Sequence, residues 1–177
     1  MNMLVCEETL SHKRRRYLIR NEISEIVRQK HIPPERFGEF SKISYKRVFA
    51  RFYYSFAEHD KNTKYDSEYL RIHSVDCYNS FFGKKLRSGL EKELIARWDR
   101  DWVTYCNEMK NGIPENGGRK LFFILNEGWI YDGYAGDIIN ILAETSILLK
   151  DSYIVSKKFD WFIGLSDDGE CAVLYRK

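Results

Sequence analysis

Short apolar runs separated by tight polar breaks dominate the last third of the chain. Lys120-Leu-Phe-Phe-Ile-Leu125 reads as a buried strand, and Trp129-Ile-Tyr131 returns beside it after the turn Asn126-Glu127-Gly128. Tyr153-Ile-Val155, Trp161-Phe-Ile-Gly-Leu165 and Cys171-Ala-Val-Leu-Tyr175 follow as three further strands, the last two joined through Asp167-Asp168-Gly169. Between the first pair and these three, Ile138, Ile141, Leu142 and Thr145 line one face of a helix predicted over 137–149, with Asp137 in its first turn.

The earlier part of the chain follows helical spacing. Leu10, Leu18, Ile19, Ile23, Ile26 and Val27 predict a helix over 5–30, ended by Pro33-Pro34. Val48, Phe49, Phe52, Tyr53 and Phe56 fit one face of a helix over 44–57, although so many aromatics also suit strands. Residues 60–64 read as a loop. The ladder Leu86, Leu90, Leu94, Ile95, Trp98, Trp102, Tyr105, Met109 predicts a helix over 86–110. In it Ser88 and Glu91 would form a capping box, and Glu93, Arg97 and Asp101 would pair along the exposed side. Asn111-Gly-Ile-Pro-Glu-Asn-Gly-Gly118 breaks the pattern as a loop between layers. The expectation is a single α+β domain over 1–177. A helical part, about 1–114, packs on a mainly antiparallel sheet, about 115–177, with one intervening helix.

Composition adds a charge asymmetry. The net charge is +3, but residues 1–114 hold 22 Lys+Arg against 16 Asp+Glu, and residues 115–177 hold 7 against 10. Such a split bears on partners rather than on fold. The widely spaced Cys6, Cys77, Cys106 and Cys171 read as free thiols. No apolar run approaches the ~18 residues of a membrane span and no signal sequence is evident, so a cytoplasmic address is expected.

The search for chemistry returns no catalytic or metal constellation. His12, His31, His59 and His73 have no partner at metal-ligand spacing, and no phosphate-loop, dinucleotide or nucleophile-elbow motif occurs. Asp99 and Asp101 would point to different sides of a helix. Asp167-Asp168-Gly169-Glu170 has the composition of part of a calcium loop without its ligand alternation, and reads as a hairpin turn. Trp161 is expected in the core, with Asp160 as the tether of its turn. No cofactor, no metal and no enzymatic activity are expected.

Residues 120–177 resemble an uncharacterised bacterial family of small cytoplasmic proteins, through Trp129-Ile-Tyr131, Gly136-Asp137-Ile-Ile139, Tyr153-Ile-Val-Ser-Lys-Lys-Phe-Asp-Trp161 and Asp168-Gly169. The closing Asp-Gly-Glu hairpin is also similar to the Smi1/Knr4-type immunity superfamily. The resemblance implies an immunity protein of a polymorphic toxin or contact-dependent growth inhibition system, one that binds and blocks a cognate toxin domain, a nuclease. Glu127, Asp132, Asp167, Asp168 and Glu170 would then offer a negative face to a basic toxin, with Tyr131 or Tyr134 as anchors. The alternative is a nucleic-acid-binding regulator using Lys13, Arg14, Arg15, Arg16 and Arg20. Against it, Pro33-Pro34 is a poor turn for a second DNA-reading helix, and Glu7, Glu8, Glu22 and Glu25 balance the basic face.

Overall fold

A computed structural model describes residues 12–58, 86–97, 101–114, 118–125, 128–145, 152–165 and 170–177. Helix α1 (His12–Gln29) opens the described chain. It buries Ile19, Ile23 and Ile26 of the expected face and packs Val27 beside them, but Leu18, expected on that face, is exposed. The predicted residues 5–11 lie outside the described residues. Its end is a left-handed cap: His31 takes φ +50, and the Ile32 N–H donates to Val27 O at 3.0 Å. Pro33 follows, where the chain can no longer be helical.

A three-residue strand, β1 (Phe37–Glu39), and a 3₁₀ turn (Lys42–Ser44) lead into α2 (Tyr45–Phe56). The aromatic face predicted for 44–57 is the one buried: Val48, Phe49, Phe52, Tyr53 and Phe56. Phe56 lies edge-on to Phe162, with centroids 4.6 Å apart, and Phe52 meets Phe162 and Tyr153 at 5.3 Å each. Truncating one such buried ring costs about 3–5 kcal/mol.

The remaining elements are β2 (Leu90–Arg97), α3 (Trp102–Asn111), β3 (Lys120–Ile124), β4 (Ile130–Tyr134), α4 (Ala135–Glu144), β5 (Ser152–Val155), β6 (Trp161–Leu165) and β7 (Glu170–Arg176). They form a seven-stranded sheet in the order β1-β4-β3-β5-β6-β7-β2, antiparallel at every pairing. The expected α+β class is therefore the observed one. Phe123, Tyr131, Ile154, Ile163 and Val173 lie across from one another on one face of this sheet. Phe122, Val155, Phe162 and Leu174 lie on the other, where α2 packs on Phe162 through Phe52 and Phe56. Helices α3 and α4 pack together, with α4 also against β3 and β4 and α1 also against α4.

Three expectations change. The helix over 86–110 is not one element: residues 90–97 form the edge strand β2, and helix begins only at Trp102. Gly89, at φ +86, turns the chain into the strand where the capping box was expected. Arg97 pairs across strands with Glu170 at 3.4 Å. Asp101 caps α3 instead, accepting from Thr104 N at 3.0 Å and from its hydroxyl at 2.6 Å. Trp102 keeps its expected packing and donates from Nε1 to Leu142 O at 2.8 Å, while Trp98 lies outside the described residues. The helix over 137–149 stops at Glu144, where the Thr145 hydroxyl donates to Leu142 O at 2.8 Å. Finally, the division at 111–118 is crossed twice, because β1 and β2 from the N-terminal part supply both edges of the sheet.

Candidate functional site

The two ends of the sheet differ chemically. Register places Ile124, Ile130, Ser152, Leu165, Cys171 and Arg97 at one end. The β3–β4 and β6–β7 connections leave there. Glu127 belongs to the first and Asp167 and Asp168 to the second, and all three lie outside the described residues. Glu170 stands at the same end as the first residue of β7. It is not a free acid: Lys92 Nζ lies 3.0 Å and Arg97 Nη2 3.4 Å from its carboxylate.

The other sequence-predicted residues lie elsewhere. Tyr131 is 3 % exposed and stacked on Phe37 at 5.1 Å, so it cannot anchor a partner in this conformation. Its hydroxyl has no hydrogen-bond partner among the described residues, and burial pushes its ionisation well above the ordinary phenol range. Tyr134 ends β4 at the far end of the sheet, half-buried, with the Arg36 guanidinium 5.8 Å from its ring centroid. That arginine also holds Asp137 in the first turn of α4, with bonds of 3.0 and 3.2 Å to its two oxygens.

Asp132 sits in mid-strand, opposite Phe122. Lys157 Nζ reaches it at 2.7 Å and Lys120 Nζ at 3.9 Å. To do so, Lys157 crosses the ring of Phe122, its ammonium 3.5 Å from the centroid and 5.1 Å from that of Phe40. Burial pushes this ammonium below its ordinary range, against the pull of Asp132. Asp132 is thus the counter-ion of a basic cluster and not part of the acidic end.

The turn that presents Lys157 is tightly held. Phe159 N donates to Ser156 O at 3.0 Å, and Ser156 N to Trp161 O at 3.1 Å. The Ser156 hydroxyl bonds the Asp160 carboxylate and accepts from Asp160 N at 3.2 Å, and Arg176 N donates to Asp160 O at 2.7 Å. Asp160 is the tether expected of it, and Trp161 is buried at 3 % exposure. Phe159 takes φ +59, a left-handed conformation costly for a bulky side chain, and is itself buried. The basic cluster was missed in sequence, where Lys157-Lys158 read only as a family marker. Its available signal was two of the three dibasic steps, Arg119-Lys120 and Lys157-Lys158, in a stretch where acids outnumber bases.

Cys106 and Cys171 are free and buried, and burial pushes both thiols up to about 12. Cys6 and Cys77 lie outside the described residues. Among the described residues, no three His, Cys, Asp or Glu side chains are grouped to hold a metal ion, and no helix is long and apolar enough to cross a membrane. The side chains of Lys13–Arg16 are outside the described set. Arg20 is committed to Glu39 at 2.8 Å and lies over the Trp129 ring at 4.8 Å.

No curated protein and no solved structure matches the chain. A family model described as a family of unknown function, DUF6756, matches residues 15–177, and the chain belongs to that family.

Proposed function

We propose that this is a cytoplasmic, non-enzymatic immunity protein that binds a cognate toxin domain, a nuclease, and blocks it by direct contact. The observation that carries the reading is topological. The sheet sends its β3–β4 and β6–β7 connections out at one end, and these contain Glu127, Asp167 and Asp168. Three strand spacings, about 14 Å, separate the β3–β4 pair from the β6–β7 pair, well inside one standard interface. Glu170 is already neutralised by Lys92 and Arg97, so the three acids in the connections supply the negative charge. A nuclease surface that binds phosphates is basic, and an acidic patch facing it speeds association and excludes wrong partners.

The test is co-expression with the toxin encoded beside this protein. Growth is expected to be rescued, and the two chains to co-elute on a sizing column. Reversing Glu127, Asp167 and Asp168 to Lys weakens the complex and slows its formation most at low salt. Equal killing with and without the protein, and no complex on the column, removes the reading.

A further inference from the structure

Helix α2 turns its aromatic side to the sheet, through Phe52 and Phe56 on Phe162, and a basic side to solvent. Lys46, Arg47, Arg51 and Tyr54 are exposed, with the half-buried Ala50 among them. At 3.6 residues per turn these five positions fall in one arc of about 140°. Between Glu39 and Glu58 the chain holds four basic residues, Lys42, Lys46, Arg47 and Arg51, and no acid.

The helix itself gains nothing from this arrangement. Arg47 and Arg51 stand four apart, where like charges repel along one face. Lys46 and Arg47 lie in the first turn, where the helix dipole disfavours cations and no acid offsets them. Among the described residues, no carboxylate pairs with Lys46, Arg47 or Arg51, whereas Arg20, Arg28, Lys30, Arg36, Lys92 and Arg97 each have one. The Arg51 guanidinium lies 4.9 Å from the ring centroid of Phe159, which joins the basic side of α2 to the β5–β6 turn. The residue before Phe159 in that turn, Lys158, is also exposed. Positive charge concentrated on one face of a rigid element, without acids to answer it, is the electrostatic footprint of a polyanion.

The apolar side of α2 is already buried on the sheet, so no apolar face is left to enter a bilayer. The centre of a protein–protein interface is depleted in charge, unlike a face of three cations, one tyrosine and one alanine. Interfaces with nucleic acid are polar and strongly positive. We propose that the outward face of α2 binds the phosphate backbone of duplex DNA. Twelve helical residues span about 18 Å, close to half a turn of the duplex, and the major groove admits a helix. Arg47 and Arg51 present planar forks to phosphate oxygens, and Lys46 and Lys158 add point charges. Contacts of this kind position a protein on DNA without reading its sequence. The proposal does not rest on the toxin-binding reading, which uses the acidic connections.

Fluorescence anisotropy of a short labelled DNA duplex, titrated with the full chain over a range of salt concentrations, tests this. A Kd on the order of 10 μM at low salt is expected, with a slope of log K against log salt of about −3 to −4 and little dependence on sequence. The triple variant Lys46→Gln, Arg47→Gln, Arg51→Gln keeps good helix formers at exposed positions, so its circular dichroism spectrum is expected to match the parent's. Its affinity should fall about tenfold or more, and its salt slope should shrink by about one for each cation removed. The control Arg28→Gln, Lys110→Gln, Lys177→Gln removes the same three charges from exposed positions elsewhere and is expected to keep binding. The proposal is overturned by an absence of saturable binding, by equal losses in the two variants, or by full binding in the α2 variant. Capture on phosphatidylserine vesicles with no duplex bound also overturns it.

Discussion

The ammonium of Lys157 and the carboxylate of Asp132 meet 2.7 Å apart although β3 runs between the elements that carry them. The lysine stem spans that strand by lying over Phe122, which is the residue opposite Asp132 in the β3–β4 register. One ion pair therefore ties the β5–β6 turn to β4 across a strand.

Removing Asp132 leaves a half-buried ammonium over an aromatic ring with no counter-ion. With both partners a quarter to a third exposed, water recovers part of the loss, and Asp132→Asn is expected to cost about 1–2 kcal/mol at neutral pH. Adding Lys157→Met restores most of it, because a thioether on Phe122 needs no counter-ion. Urea denaturation of the two single variants and the double variant measures the coupling, and additive effects would contradict the ion-pair account.

Phe159 reverses the usual ranking of glycine and alanine. At an ordinary position glycine is the less stable replacement. At φ +59, alanine loses the buried ring and retains the left-handed strain, whereas glycine loses the ring alone. Both variants are expected to be destabilised by about 2–5 kcal/mol, with Phe159→Gly more stable than Phe159→Ala by about 1 kcal/mol. Thermal unfolding of the pair decides it.

Gly133 makes room for the first strand. A Cβ there would lie 2.5 Å from Cδ2 of Phe37, its partner across the β1–β4 pairing. Gly133→Ala is expected to push Phe37 off Tyr131 and cost about 1–3 kcal/mol. Amide exchange at residues 37–39 should rise more than at β5 or β6, since β1 is an edge strand of three residues.

Stability is expected to fall on the alkaline side. Cys106 and Cys171 ionise at about 12 in the folded chain against 9.0 for a free thiol, and Tyr45 at about 12 against 10.0. Groups raised in this way give stability that is complete below their unfolded values and is lost as pH climbs toward the folded ones. Lys157 is shifted downward and works in the opposite direction just below 10.5. The net prediction is a decline that starts near pH 9, where unfolded thiols ionise, and steepens above pH 10, where the phenols join. Replacing both cysteines by alanine should move the onset to the tyrosine range. Denaturant midpoints across this pH series measure it.

These residues also show what the sequence could reveal. The strands β3, β5, β6 and β7 were legible because central strands buried on both faces read as continuous apolar runs. Helix α2 was legible because its aromatic face has helical spacing and no competing alternation. The error at 86–110 has a physical cause. Leu86, Leu90 and Leu94 are spaced by four, which puts them on one face of a helix and also, because four is even, on one face of a strand. Gly89 decides between the two, and its positive φ is not visible in sequence. β1 is three residues long and pairs with a strand more than 90 residues away, so local pattern carried no trace of it. Among the candidate residues, Tyr131 looked available because alternation alone does not reveal that β4 is covered on both sides. Asp132 looked acidic because its counter-ion arrives from 25 positions further along the chain.

The central claim is that the acidic end of the sheet meets the toxin. Hydrogen exchange measured on the protein alone and in its toxin complex tests that directly. Protection is predicted in peptides covering residues 125–129 and 165–171, with the turn at 156–160 unchanged. Protection confined to 156–160 and 119–121, or no change at either acidic connection, would contradict it.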